Sequence, residues 1–194
     1  DSFNNTASYT FATLPAQPSI TPGGNGSTAT PLKIIEPELS AVVSAANVTN
    51  PGLRAVAGDI IRMTATITAS GGLPADDFAH AFDISYTETL SSSLAYIAGT
   101  ASVTGVGNFV NDPIEVGDGI ATPQQLTWSQ ANGRASIAIP EGTFVTMVYD
   151  LRVLDNLENN QQLSNLANIE WTGQNGVNPN QRDGSGTPAV NDYN

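Results

Sequence analysis

Asp59-Ile60-Ile61-Arg62-Met63-Thr64-Ala65-Thr66-Ile67-Thr68-Ala69 puts Ile61, Met63, Ala65, Ile67 and Ala69 on one side of an extended chain and Arg62, Thr64, Thr66 and Thr68 on the other. A period of two over this length marks a half-buried strand. Residues 143–153 repeat it, with Val145, Met147, Tyr149, Leu151 and Val153 inward and Thr146, Asp150 and Arg152 outward. Two strands so patterned are members of sheets that share one core.

Working outward, further strands are expected near 38–44, 80–88, 94–104, 125–129, 135–139 and 163–171. Turn signals separate them: Ser70-Gly71-Gly72, Gly117-Asp118-Gly119 and the hairpin dipeptide Asn132-Gly133. No window carries a helical period. The spacing predicts an all-β, Ig-like antiparallel β-sandwich over residues 33–172, preceded by an extended N-terminal strand and linker. The predicted core holds Ile61, Met63, Ile67, Ile84, Tyr86, Val145, Met147, Tyr149, Leu151, Ile169 and Trp171.

Composition narrows the function. Six basic against eighteen acidic residues give a net charge of −12, which repels a phosphate backbone, so nucleic acid and anionic lipid are poor partners. Apolar runs are far shorter than the roughly 20 residues that span a bilayer, and no membrane insertion is expected. There is no cysteine, hence no disulfide, thiolate metal site or cysteine nucleophile. Polar positions are filled by Thr, Ser, Asn, Gln and Gly, the habit of secreted β-rich surfaces.

The two ends echo one another. Asn5-Thr6-Ala7-Ser8-Tyr9-Thr10-Phe11 and Asn165-Leu166-Ala167-Asn168-Ile169-Glu170-Trp171 share the alternation Asn-x-Ala-x-apolar-x-aromatic. Each copy is followed by a Gly/Pro/Asn-rich stretch of the kind that joins domains, 14–31 and 172–194. The expected organisation is a strand and linker over 1–32, the sandwich over 33–172 and a junction tail over 173–194. The first segment then serves as the closing strand of a preceding repeat or as a donor strand, with Asn5, Ala7, Tyr9 and Phe11 as its residues.

Ala57-Gly58-Asp59 opening a Thr-rich strand, Tyr86-Thr87-Glu88-Thr89-Leu90 before a Ser-rich turn, Leu94-Ala95-Tyr96-Ile97-Ala98-Gly99-Thr100 and the closing Asn165-Leu166-Ala167 come in an order that resembles the tandem Ig-like repeats of giant bacterial surface adhesin and fibre proteins. These are related to the isopeptide-forming fimbrial domains. The resemblance covers roughly residues 36–192 and implies a stalk or adhesive role at the cell surface. It also implies a Lys-Asn isopeptide bond promoted by a buried acid, for which Lys33, Glu88 and Asn165 are the candidates. The chain departs from the pattern there: the lysine is expected near Val43 or Ser44, whereas the only lysine is Lys33. The plainer reading is a linker lysine, a strand-end glutamate and an asparagine bonded to backbone.

Catalytic constellations are thin. The single histidine, His80, stands near Asp76, Asp77 and Asp83 without a nucleophile signature or a second imidazole, and no enzyme activity is expected. Calcium suits the acid and amide clusters better. The first choice is Asp183, Asp192 and Asn191 in the tail, with Asn180 and Ser185 nearby, and the second is Asn111, Asp112 and Asp118; ordinary Asx turns are the alternative. The sequons at Asn4, Asn25 and Asn47 carry no weight in an Asn- and Thr-rich chain. The expected function is an extracellular structural repeat or filament subunit, joined head to tail to copies of itself or to adjacent repeats. The alternative is a module binding a glycan or protein receptor through its 105–124 segment.

Overall fold

The computed structural model describes residues 2–3, 32–33, 37–69, 79–119, 122–130, 136–173 and 175–176. The chain divides into two compact units, Asp1–Ile35 and Glu36–Asn194. In the first, β1 (Ser2–Phe3) pairs antiparallel with β2 (Leu32–Lys33), Ser2 opposite Lys33.

The second unit is the sandwich. One sheet runs β3 (Leu39–Asn47), β4 (Ile60–Ala69), β10 (Phe144–Val153), and beyond β10 two short strands share one lane: β6 (Leu94–Tyr96) pairs with its C-terminal end and β7 (Ser102–Gly105) with its N-terminal end. The other sheet runs β11 (Leu166–Thr172), β5 (Phe82–Thr89), β9 (Gln125–Trp128), β8 (Ile114–Val116). All pairings are antiparallel, and the described residues contain no helix.

The long β4–β10 ladder sets Ile67 opposite Val145, Ala65 opposite Met147 and Met63 opposite Tyr149. Because side chains alternate across a sheet, this register sends both apolar rows to the same face. They meet Ile84, Tyr86, Leu126 and Trp128 from the other sheet, with Ile137 and Ile139 from the segment before β10, in one buried cluster. Tyr86, Trp128 and Tyr149 form its centre, with ring centroids 5.8 and 5.2 Å apart. All eleven predicted core residues are buried or pack against this cluster. Outward, hydroxyls pair across strands, Thr66 with Thr146 at 3.2 Å and Thr87 with Thr127 at 3.1 Å, and Arg62 holds Asp150 in a two-pronged contact of 2.8 and 2.9 Å.

Three strand expectations need correction. The 94–104 run is broken into β6 and β7 at a turn where Gly99 has φ +77, a conformation glycine tolerates best. The 105–124 segment is not a structureless loop, because β8 lies within it on the edge of the second sheet. Residues 136–139 form no strand, although they meet the start of the second sheet through the Ala81–Ile139 bridge and the Ile84 amide, which donates to the Ile137 carbonyl at 3.1 Å. The Asn132-Gly133 hairpin signal lies outside the described residues.

The edge strands β3 and β11 reach the same end of the sandwich. Leu39 pairs with Ala69, the Gly142 amide reaches the Ala69 carbonyl at 3.1 Å, and Ala81 bridges Ile139. The start of β3, the end of β4 and the start of β5 therefore lie at one pole. Thr172 pairs with Phe82, so β11 ends there too. The indole Nε1 of Trp171 donates to the Pro37 carbonyl at 3.1 Å, tying the point where the chain enters the sandwich to the point where it leaves.

Candidate functional site

Glu88 lies on β5 at the parity of Ile84 and Tyr86, and the alternation that buries those residues also buries its carboxyl completely. An acid in such a place needs donors. Tyr149 arrives from β10 across the sandwich and donates its hydroxyl to Glu88 Oε2, and Tyr86 donates to the same oxygen at 3.1 Å. Asn165, just before β11, donates Nδ2 to Glu88 Oε1 at 2.5 Å and accepts the Ser91 amide on Oδ1 at 3.0 Å. Burial pushes the Glu88 carboxyl above the ordinary glutamate range, against the hydrogen bonds from Asn165 and Tyr86. Burial likewise raises the Tyr86 phenol, helped by the neighbouring carboxylate.

Of the three residues implied by the resemblance, Glu88 and Asn165 are in direct contact. Lys33 belongs to β2 in the first unit. On β3, Val43 and Ala45 line an open cleft of about 1180 Å³ together with Met63, Leu163 and Asn165. The positions near which an amine was expected, Val43 and Ser44, carry an isopropyl group and a hydroxymethyl group. Val43 opposes the buried Ala65, yet is itself 38% exposed.

A second buried acid was missed. Asp59 closes the loop between β3 and β4: Asn47 Nδ2 and Asn50 Nδ2 each donate to its carboxylate at 2.8 Å, and the Val56 amide donates at 3.1 Å. Asn47 Oδ1 in turn accepts the amides of Thr49 and Asn50. Led by the Asn47 bond and then the Val56 amide, these donors hold Asp59 below the ordinary aspartate value despite burial. The Gly58-Asp59 dipeptide was the available signal, since Gly58 takes φ +89 to turn the chain into this cap. The Asn47 sequon amide is already committed to Asp59.

The other candidates fall as follows. Asp183, Asp192 and Asn191, and the strand residues Asn5, Ala7, Tyr9 and Phe11, lie outside the described residues. In the second calcium cluster Asn111 Oδ1 accepts the Val103 amide, Asp118 Oδ1 accepts the Thr122 amide and Asp112 meets the Tyr96 hydroxyl, at 2.9, 3.0 and 3.5 Å. Only the Asp118 bond is local in the chain; the Asn111 and Asp112 bonds reach residues 8 and 16 positions away. Among the described residues no three His, Cys, Asp or Glu side chains come together. His80 is exposed. Asp83, one of the acids near it in the sequence, takes φ 50 and accepts the Ser136 and Thr172 hydroxyls and the Gly176 amide at 2.6, 2.9 and 2.9 Å.

No family model matches the chain, and a search of curated proteins finds no match. Among solved structures, it is similar to the full-length RrgB pilus protein from Streptococcus pneumoniae, with 17% identity and a TM-score of 0.42 over 71% of this chain and 24% of that one. A second structure of the RrgB pilus backbone gives 16% and 0.40 over 69% and 32%. The collagen binding domain of Erysipelothrix rhusiopathiae surface protein RspB gives 17% and 0.36 over 84% and 48%. The chain thus spans less than half the length of each.

Proposed function

We propose that this chain is a non-enzymatic structural module of an extracellular adhesin or filament at the cell surface, strung to its neighbours through the flanking segments. The supporting observation concerns the repeated heptapeptide. In the copy at 165–171, the Asn anchors to the buried Glu88 and the terminal aromatic anchors to Pro37. The residues repeated at 5–11 are therefore those by which a closing strand locks into this sandwich, as expected of tandem repeats or of strand complementation between copies. Calcium at Asp183, Asn191 and Asp192 belongs to the same reading, as a stiffener of the junction.

The joining mode is tested by deleting residues 1–13 and following assembly by light scattering and electron microscopy. Loss of assembly is expected for strand complementation. Unchanged assembly, or an intact chain that stays monomeric, rules it out and leaves the tandem repeat. Dialysis followed by a melt with and without chelator tests the calcium.

A receptor-binding role is the second reading, favoured by the cleft beside Asn165. It lies at the pole away from Pro37 and Trp171, and its floor of Val43, Ala45 and Met63 is apolar. A glycan or peptide array with saturable binding lost in Val43→Asp supports it, and no binding above background discards it.

A further inference from the structure

The route of the chain through the sandwich has a mechanical meaning, which rests on the reading above only in supposing that neighbours pull on the module. Pro37 and Trp171 adjoin at one pole. From there β3 runs away along the edge of one sheet, and β11 returns along the edge of the other. Tension applied outside residues 37 and 176 therefore meets both edge strands at their ladder ends. The ladder bonds lie across the strands, so such a pull strains them one after another and not all at once.

Little else holds these strands. Of the nine residues of β3 only Leu39 is buried, and of the seven of β11 only Trp171 and Thr172 are. The buried residues all sit at the loaded pole, where the Trp171–Pro37 bond and the bonds of Thr172 and Gly176 to Asp83 form a latch. Past the latch both strands are mostly exposed.

At the far pole each strand ends in a side-chain clamp. β3 runs into Asn47, bonded to the buried Asp59 and capping its own loop. β11 begins after Asn165, bonded to the buried Glu88 and to the Ser91 amide. Between the clamps, the β4–β10 ladder and its partner β5–β9 carry the larger part of the buried cluster, and of its other members only Leu39 and Trp171 belong to β3 or β11.

We infer that the module is an extensible joint: under tension it opens the latch, surrenders β3 and β11 as paid-out length, and stops at the Asn47–Asp59 and Glu88–Asn165 clamps with its inner strands intact. Low burial at the edge strands and high burial within is the pattern that allows sub-global opening. Sixteen residues at about 3.4 Å each pay out roughly 55 Å. No lysine or cysteine lies in either strand to prevent it.

The full chain, tethered by its two termini in an optical trap, provides the test. A reversible step of roughly 55 Å is expected at lower force than the main rupture, which releases on the order of 400 Å. Ser40 and Thr68 are register partners at the mouth of β3, so an oxidised Ser40→Cys/Thr68→Cys pair is expected to shorten the early step to roughly 25 Å, the length of β11 alone. Reduction is expected to restore it in the same molecule, which separates locking from misfolding. A single rupture without an early step overturns the inference, as does an early step that oxidation leaves unchanged. Either result leaves the surface-module reading standing, because that reading is judged by assembly and location.

Discussion

Glu88 and Asp59 are both buried carboxylates, and the sandwich treats them in opposite ways. Asp59 sits in a loop that folds around it and supplies three N–H donors. Glu88 is set among core side chains and receives two phenols and one carboxamide. The loop rewards charge and depresses the aspartate, whereas the core penalises charge and raises the glutamate. Each acid has three donors, and what decides its preferred form is the balance: burial outweighs the hydrogen bonds at Glu88, whereas the hydrogen bonds outweigh burial at Asp59.

The contrast is broken most severely by Glu88→Ala, which leaves a cavity and strands the hydroxyls of Tyr86 and Tyr149 without their acceptor. A loss of about 2–4 kcal/mol in a denaturant titration is expected, and a loss below about 1 kcal/mol shows that the core does not depend on this acid. Next comes Asn165→Asp, which swaps the donor at Glu88 Oε1 for a second carboxylate. At pH 7 it is expected to cost about 1–3 kcal/mol and to recover much of that at pH 4, where one of the two acids is protonated; equal losses at both pH values rule out the like-charge cause.

Glu88→Gln sharpens the comparison through its sign. Because the folded carboxyl titrates above its ordinary value of 4.5, its contribution is fully present below pH 4.5 and is lost as pH rises through the raised value. Melting temperatures of the parent are expected to decline over that window relative to those of the glutamine variant, and parallel curves contradict the shift. Asp59→Asn has the smallest effect and the opposite sign. Here the parent's stability is present above the ordinary 3.8 and fades as pH falls through the depressed value. The variant, losing one acceptor oxygen, is expected to be less stable at pH 6 and to approach the parent in acid; a gap that widens on acidification refutes this.

The sequence revealed most where neighbours in the chain decide the structure. Alternation alone identified β4 and β10 and put Glu88 inward with Ile84 and Tyr86. It understated β3, whose Ala41, Val42, Val43 and Ser44 are all exposed and impose no period on the sequence. It overlooked β8, which is only three residues long and lies between Asn111, whose side chain bonds β7, and Asp118, whose side chain closes a local turn. Half of the Glu88 cluster was readable, since Asn165 stood in a quotable motif. Tyr149 was not, because only the register of three strands brings its hydroxyl across 61 positions to the acid. Asp59 was quoted within a motif, yet its three donors depend on a loop path that no spacing rule supplies.

The 3.1 Å contact between Trp171 and Pro37 also bears on how such a unit travels between proteins. A fold whose two ends adjoin needs only a short gap in its host, so it inserts into a surface turn without prising the flanking strands apart, and it tolerates circular permutation. Joining residue 37 to residue 173 by a few glycines and reopening the chain within the exposed turn at 51–54 creates new ends at the pole that carries the cleft. The same sandwich would then be held by its opposite end, with its present attachment points turned into its free tip.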